Sequence, residues 1–129
     1  MLQRLAAYGD QAYALLRIVA GALFAFHGLQ KILGVLSDFS PPVGSQLWFG
    51  GIIELVGGTL IALGLRTREA AFLASGTMAV AYVQFHWKLQ MGGNFFPVIN
   101  KGELAVIYCF VFLYFACRGG VTWCLDRRS

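Results

Sequence analysis

L-W-F-G-G-I-I-E-L-V-G-G-T-L-I-A-L-G-L, residues 47–65, contains a single ionisable side chain, Glu54. A helix rises about 1.5 Å per residue, so a stretch of this length covers nearly all of a hydrocarbon core of about 30 Å. It offers water no polar face. The same reading extends outward in both directions, because between Ile18 and Leu65 the only ionisable residues are His27, Lys31, Asp38 and Glu54. The chain is 58% hydrophobic and only 12% charged, against roughly half apolar and a quarter charged in soluble domains. Its mean hydropathy of +0.68 points the same way. Lipid is therefore the expected solvent.

Four stretches are apolar enough to span: residues 13–33, 47–65, 69–87 and 98–117. The expected fold is an all-α membrane protein, a single four-helix transmembrane bundle occupying residues 1–129. Lys101 and Glu103 fall inside the fourth segment and leave a shorter uncharged stretch, Leu104 to Cys117. Arg4 before the first apolar run gives it the look of a secretory signal, but no small-x-small cleavage site leads into polar sequence, so its retention is expected.

Short loops rich in Lys and Arg stay in the cytoplasm. Arg4, Arg66, Arg68, Arg118, Arg127 and Arg128 fall at the N-terminus, the second loop and the C-terminus, whereas Lys31, Lys88 and Lys101 flank the first and third loops. This distribution predicts both termini in the cytoplasm. It also accounts for the net charge of +4, so no nucleic-acid partner is expected, and the partner of the surface is membrane lipid. Ser40, Pro41, Pro42 and Gly44 predict a turn-rich first loop. Met91-Gly92-Gly93-Asn94 and Phe95-Phe96-Pro97 predict an irregular third loop lying in the interface. Cys109, Cys117 and Cys124 form no C-x-x-C pair, which leaves them as small packing residues. No metal site is expected.

Ionisable groups inside a membrane are costly and normally face a bundle interior or a watery cavity. On the first helix Arg17, Gly21, Phe24, Gly28 and Lys31 recur every three or four residues on one stripe, with His27 at its edge. On the second, Gly50, Gly51, Gly57 and Gly58 project within roughly 60° of Glu54 at 100° per residue, so the carboxylate stands in a groove of bare backbone. Glycine lets helices approach closely, which marks both stripes as inward-facing. His27, Lys31, Glu54, His86 and Glu103 share one half of the membrane and form the candidate ligand-binding or proton-relay set. Arg17 stands alone in the other half as a structural polar residue, with Tyr114 as its candidate partner. Each has a plainer reading as well. Lys31 and Arg17 can snorkel to opposite interfaces, Glu103 can close a helix-capping arrangement with Asn100, His86 can sit at the interface beside Trp87, and Glu54 can form a structural ion pair with Lys31 or a histidine.

L-R-I-V-A-G-A-L-F-A-F-H-G-L-Q-K at Leu16 to Lys31, G-G-I-I-E-L-V-G-G-T-L-I-A-L-G-L-R-T-R at Gly50 to Arg68, N-K-G-E-L-A at Asn100 to Ala105 and C-L-D-R at Cys124 to Arg127 together resemble the DoxX family of bacterial membrane proteins. The tail before the Leu-Asp departs from the family pattern: Gly119-Gly120-Val121-Thr122-Trp123-Cys124 stands where a G-x-G-R-x-S-like run is expected. The resemblance implies a bacterial inner membrane location and a link to quinone-coupled redox systems. Three functions follow as expectations. The first is a membrane subunit of a redox enzyme, in which His27, Lys31 or Glu54 bonds a quinone carbonyl and Glu54 relays the proton that accompanies reduction; the redox cofactor belongs to a partner subunit, since this chain has no covalent cofactor motif. The second is a transporter or binding protein for a small lipid-soluble or anionic molecule, active as a homo-oligomer without a partner. The third is a bis-histidine haem b protein built on His27 and His86.

Overall fold

The computed structural model describes residues 1–127. Arg128, counted above among the basic residues, lies outside the described residues. Among those described, all regular structure is helical. Four long helices carry the fold: α1 (Gly9–Leu33), α2 (Gln46–Leu63), α3 (Thr67–Ala81) and α4 (Glu103–Arg118). Helical turns at Leu2–Leu5 and Ala6–Tyr8 lead into α1, so that helix begins before the expected Tyr13. The chain from Leu2 to Leu33 and the chain from Gln46 to Leu63 are each long and apolar enough to cross a membrane, and most of each stays outside the fold. Leu23, Phe72 and Phe110 are 55%, 69% and 64% exposed, an exterior suited to an apolar solvent.

The helices form two pairs. α1 and α2 meet through their glycines: a Cβ on Gly21 would stand 2.5 Å from Ala62 N, one on Gly28 2.6 Å from Gly51 O, and one on Gly58 2.6 Å from Gly21 O. No side chain larger than hydrogen fits at these crossings. The groove expected around Glu54 therefore divides. Gly51 and Gly58 face α1, Gly57 meets only Ala70 O at 4.0 Å, and a Cβ on Gly50 would meet nothing. In the second pair, α3 offers Ala70, Ala71 and Ala74 to the core, and Ser75 Oγ donates to Cys109 O at 2.7 Å. Aromatic rings close the space between the pairs, with Phe24 4.7 Å from Phe112 and Tyr13 5.4 Å from Phe115, centroid to centroid.

At one end, called here the tail end, lie the start of α1, the α2–α3 turn and the C-terminal tail. There the end of α2, the start of α3 and the end of α4 are each closed by a charged side chain from elsewhere. Arg17 is fully buried; its Nη1 donates to Ile61 O at 2.7 Å and Ala62 O at 2.9 Å, its Nη2 to Thr122 O at 3.1 Å and Trp123 O at 2.6 Å. It thus satisfies the open carbonyls of the last turn of α2 and ties the tail to them. The expected partner, Tyr114, lies instead against Tyr13, with ring centroids 5.4 Å apart. Carbonyl oxygens take both terminal nitrogens of the guanidinium, and Nε, also buried, meets no acceptor among the described residues. Arg68 closes the end of α4 through Ala116 O at 3.1 Å and Cys117 O. Asp126 closes the start of α3, accepting from Arg66 N at 2.6 Å and Thr67 N at 3.0 Å. Burial would push the Asp126 carboxyl up, but hydrogen bonds from Thr67 and the Arg66 amide, with the Arg17 charge behind them, hold it below its ordinary value. The tail also pairs backbone to backbone, Leu125 N to Leu63 O at 3.2 Å and Asp126 N to Gly64 O at 2.7 Å.

At the opposite, loop end, the connections are longer. Ser45 Oγ accepts from Trp48 N at 3.2 Å and caps α2. α3 continues as π-helical turns over Tyr82–Trp87, closed by Lys88 N on Val83 O at 2.8 Å. Asn94 and Asn100 organise the following loop: Asn94 Nδ2 donates to Trp87 O at 2.7 Å, and Asn100 Nδ2 to Asn94 O at 2.7 Å. The fourth helix does not run on from Val98 as expected. Pro97–Asn100 makes one turn, Lys101 takes a left-handed conformation at φ 61°, and α4 starts afresh at Glu103. The break has a steric cause, because a Cβ on Gly102 would stand 2.8 Å from Tyr82 Cδ2 and 2.9 Å from His86 Cβ. Asn100 Oδ1 accepts from Gly102 N at 2.8 Å and forms no capping arrangement with Glu103.

Candidate functional site

Toward the loop end a cleft lies between the two helix pairs. The cleft between them has a volume of about 750 Å³, inside the range of small-molecule sites. α1 supplies Phe24, His27 and Lys31, α2 supplies Gly50, Ile53 and Glu54, and α3 supplies Phe72, Gly76 and Thr77. His86, Lys101 and Tyr108 complete the far wall. The walls are largely apolar and aromatic, with polar groups at few points.

The central polar group is Glu54, 4% exposed. Its Oε1 accepts from Lys31 Nζ at 2.7 Å. Its Oε2 is buried and meets no hydrogen-bond donor among the described residues. Lys31 reaches across because the Gly28–Gly51 crossing brings the helix axes close one turn below it. His27, one turn from Lys31 on α1, packs its ring edge-on to Tyr108 with centroids 6.4 Å apart. His86 stacks on Tyr82 at 6.5 Å, and its Nδ1 lies 3.3 Å from Asn100 O.

Four of the five expected site residues, His27, Lys31, Glu54 and His86, thus line one cleft. Glu103 does not: it is exposed and absent from the lining. At 100° per residue it stands about 200° around α4 from Ala105, which does face the cleft. Lys101, itself exposed, borders the cleft instead, placed there by the break before α4. Tyr108 went unnoticed in the sequence, although a phenol inside an otherwise uncharged helix was a signal for it. The π-helical turns that carry His86 left no such signal; turns of this kind often mark functional sites.

A family model for DoxX matches residues 12–87, more than half of the chain. The chain belongs to the DoxX family. The matched span contains His27, Lys31, Glu54 and His86, and ends before α4. An uncharacterized protein of Haemophilus influenzae is 40% identical over an alignment covering 98% of this chain and 97% of the relative. An uncharacterized membrane protein of Mycobacterium tuberculosis is 28% identical, covering 95% of this chain and 83% of its own length. A Bacillus subtilis protein named "Putative oxidoreductase CatD" is 33% identical over 85 residues, 62% of this chain and 63% of that protein. No solved structure matches. Family and relatives make this DoxX chain a membrane protein, which agrees with its apolar exterior.

Proposed function

We propose that this DoxX protein is a four-helix transmembrane domain whose loop-end cleft holds a lipid-soluble molecule of the quinone class and presents it to a redox partner. The observation that carries the reading is Glu54: a buried carboxylate at the wall of an apolar cleft, ion-paired with Lys31, an ammonium that keeps protons for a second acceptor. The name of the CatD relative, and the family, favour a redox setting.

The residues present fit such a group. Aromatic walls at Phe24, Phe72 and Tyr108 suit a flat ring, and Lys31 and the two histidines supply donors at separate points of the cleft. A quinone carries electrons and protons together between membrane proteins. Lys31 holds the ring oxygen end against α1, while Glu54 on α2 and His27, one helical turn from Lys31 on α1, hold or pass a proton. The helix walls exclude water from that transfer.

The distribution of basic residues places the tail end in the cytoplasm and the cleft in the outer half of the bilayer. A reporter fused after the C-terminus is expected to read from the cytoplasm, and a periplasmic signal overturns this placement. The site reading is tested in lipid nanodiscs by titrating a short-chain benzoquinone and its quinol. Gly76 lines the cleft and a Cβ there meets nothing, so Gly76→Leu fills the space without displacing a neighbour. Saturable binding of either form, weakened at least tenfold in Gly76→Leu with unfolding unchanged, is the expected result. No binding to the unaltered protein, or binding indifferent to the block, refutes it.

A further inference from the structure

Tyr13 and Tyr108 are equally buried, each 6% exposed, yet only one of their hydroxyls is closed within the fold. Tyr13 Oη donates to Gly119 O at 2.7 Å. Tyr108 Oη makes no hydrogen bond among the described residues, and it is not one of the sealed unmet polar atoms, which are Gln11 Oε1, Arg17 Nε, Glu54 Oε2 and Thr67 Oγ1. The oxygen is therefore reachable, and the space its residue borders is the cleft. Resting on the reading of the cleft as a quinone-class site, we infer that the Tyr108 hydroxyl bonds an oxygen of the occupant and is its polar contact on α4.

Three neighbouring rings fix where that hydroxyl points. The phenol lies parallel to Phe112 at 5.2 Å, tilts against Phe24 at 5.6 Å and takes the His27 ring edge-on at 6.4 Å, centroid to centroid. None of these contacts uses the oxygen. Phe112 and Phe115 fill the same buried stripe of α4 without one, so packing alone does not account for a phenol at 108. A buried tyrosine hydroxyl usually finds a hydrogen-bond partner. Here the partner comes from whatever fills the cleft.

The chemistry of that partner follows from the donors around it. Lys31, on α1, spends one of its three N–H donors on Glu54 Oε1 at 2.7 Å, and its side chain is 29% exposed, so it too can donate into the cleft. Glu54 is the only carboxylate lining the cleft among the described residues, and it is already paired. A ring with oxygen acceptors at two points suits this arrangement, one oxygen accepting from Lys31 Nζ and the other from Tyr108 Oη. Because α1 and α4 belong to different helix pairs, such a ligand bridges them.

The test compares a short-chain benzoquinone with the corresponding alkylbenzene, which keeps the ring and loses the oxygens, on the unaltered protein and on Tyr108→Phe in lipid nanodiscs. The substitution removes one oxygen and keeps the ring packing. Benzoquinone binding is expected to weaken about threefold to tenfold in Tyr108→Phe, the scale of one neutral hydrogen bond, while the alkylbenzene binds both proteins alike. Unfolding of the unliganded variant should be unchanged, since the hydroxyl serves no contact within the protein. Three results overturn the inference and leave the site standing: benzoquinone binding both proteins alike, because water then serves the hydroxyl; an equal loss for the alkylbenzene, because the effect is then one of shape; or a destabilised unliganded variant, because the partner then lies within the fold. If benzoquinone does not bind the unaltered protein, the quinone-class reading falls and takes this inference with it.

Discussion

The two ends of this molecule solve the same problem in opposite ways. Both bring charged groups into a largely apolar fold. At the tail end Arg17 meets four carbonyls, Asp126 meets two amides and Arg68 meets the last turn of α4, so charge is spent closing helix termini. At the loop end Glu54 and Lys31 meet only each other, and one carboxylate oxygen is left over. The comparison teaches that burial of a charge says little about its role until its partners are named: Arg17 is held by backbone carbonyls of α2 and the tail, with its Nε unmet, whereas Glu54 is held by one side chain that borders the cleft.

The difference predicts a gradient of stability effects. Arg17→Met should cost the most, about 3–5 kcal/mol in detergent unfolding, since it leaves the part-buried carbonyls of Ala62, Thr122 and Trp123 without their donor and Ile61 O with Gly64 N alone. Arg17→Lys should recover less than half of that, because a point charge cannot span the fork. A loss below about 1 kcal/mol for Arg17→Met would erase the distinction between the ends.

The glycine crossings come next. Gly58→Ala drives a methyl into the Gly21 and Ala25 backbone and should cost about 1–3 kcal/mol. Gly57→Ala, adjacent in sequence but in ordinary contact, should stay within about 0.5 kcal/mol. Equal effects at both positions would show that the α1–α2 contact is looser than its geometry.

Asp126→Ala removes the clamp on the start of α3, and a loss of about 0.5–2 kcal/mol is expected at neutral pH, the range for a lost helix cap. The sign of its pH dependence follows from the lowered carboxyl. Its contribution is complete above the unfolded value of about 3.9 and disappears as pH falls through the lower folded value. Melting curves of protein and variant should therefore converge below about pH 4. A gap that persists in acid would separate the clamp from the charge.

The smallest effect belongs to the cleft wall. Gly50→Ala meets open space and gains helix propensity, so it should be neutral or more stable by up to about 1 kcal/mol. A clear loss there would mean that the loop end is as closed as the tail end.

Much of this was legible in single residues. The apolar stretches around Leu47–Leu65 and Tyr13–Leu33 follow from side-chain solvation, which each residue carries with it and which sums along the chain. The same reasoning singled out Glu54, His27, Lys31 and His86, because an ionisable group among apolar neighbours stands out without any knowledge of the fold. The family resemblance added the redox setting. The angular position of glycines on a helix was readable too, but not which neighbour each would meet, and so Gly50 and Gly58 looked alike.

What only the tertiary structure decided was how those groups are satisfied. The partners of Arg17 are backbone carbonyls on α2 and the tail, and every residue has such a carbonyl, so no side chain advertised them. Glu103 stands clear of the cleft and the exposed Lys101 borders it because the chain breaks between Asn100 and Glu103, where Gly102 packs against Tyr82 and His86, a contact between elements distant in the chain until they fold. The pairing of Glu54 with Lys31 exists only once the Gly28–Gly51 crossing has brought α1 and α2 together. Local solvation set where the helices run and which groups needed partners. Helix rotation and close approach, which depend on all four helices at once, chose those partners.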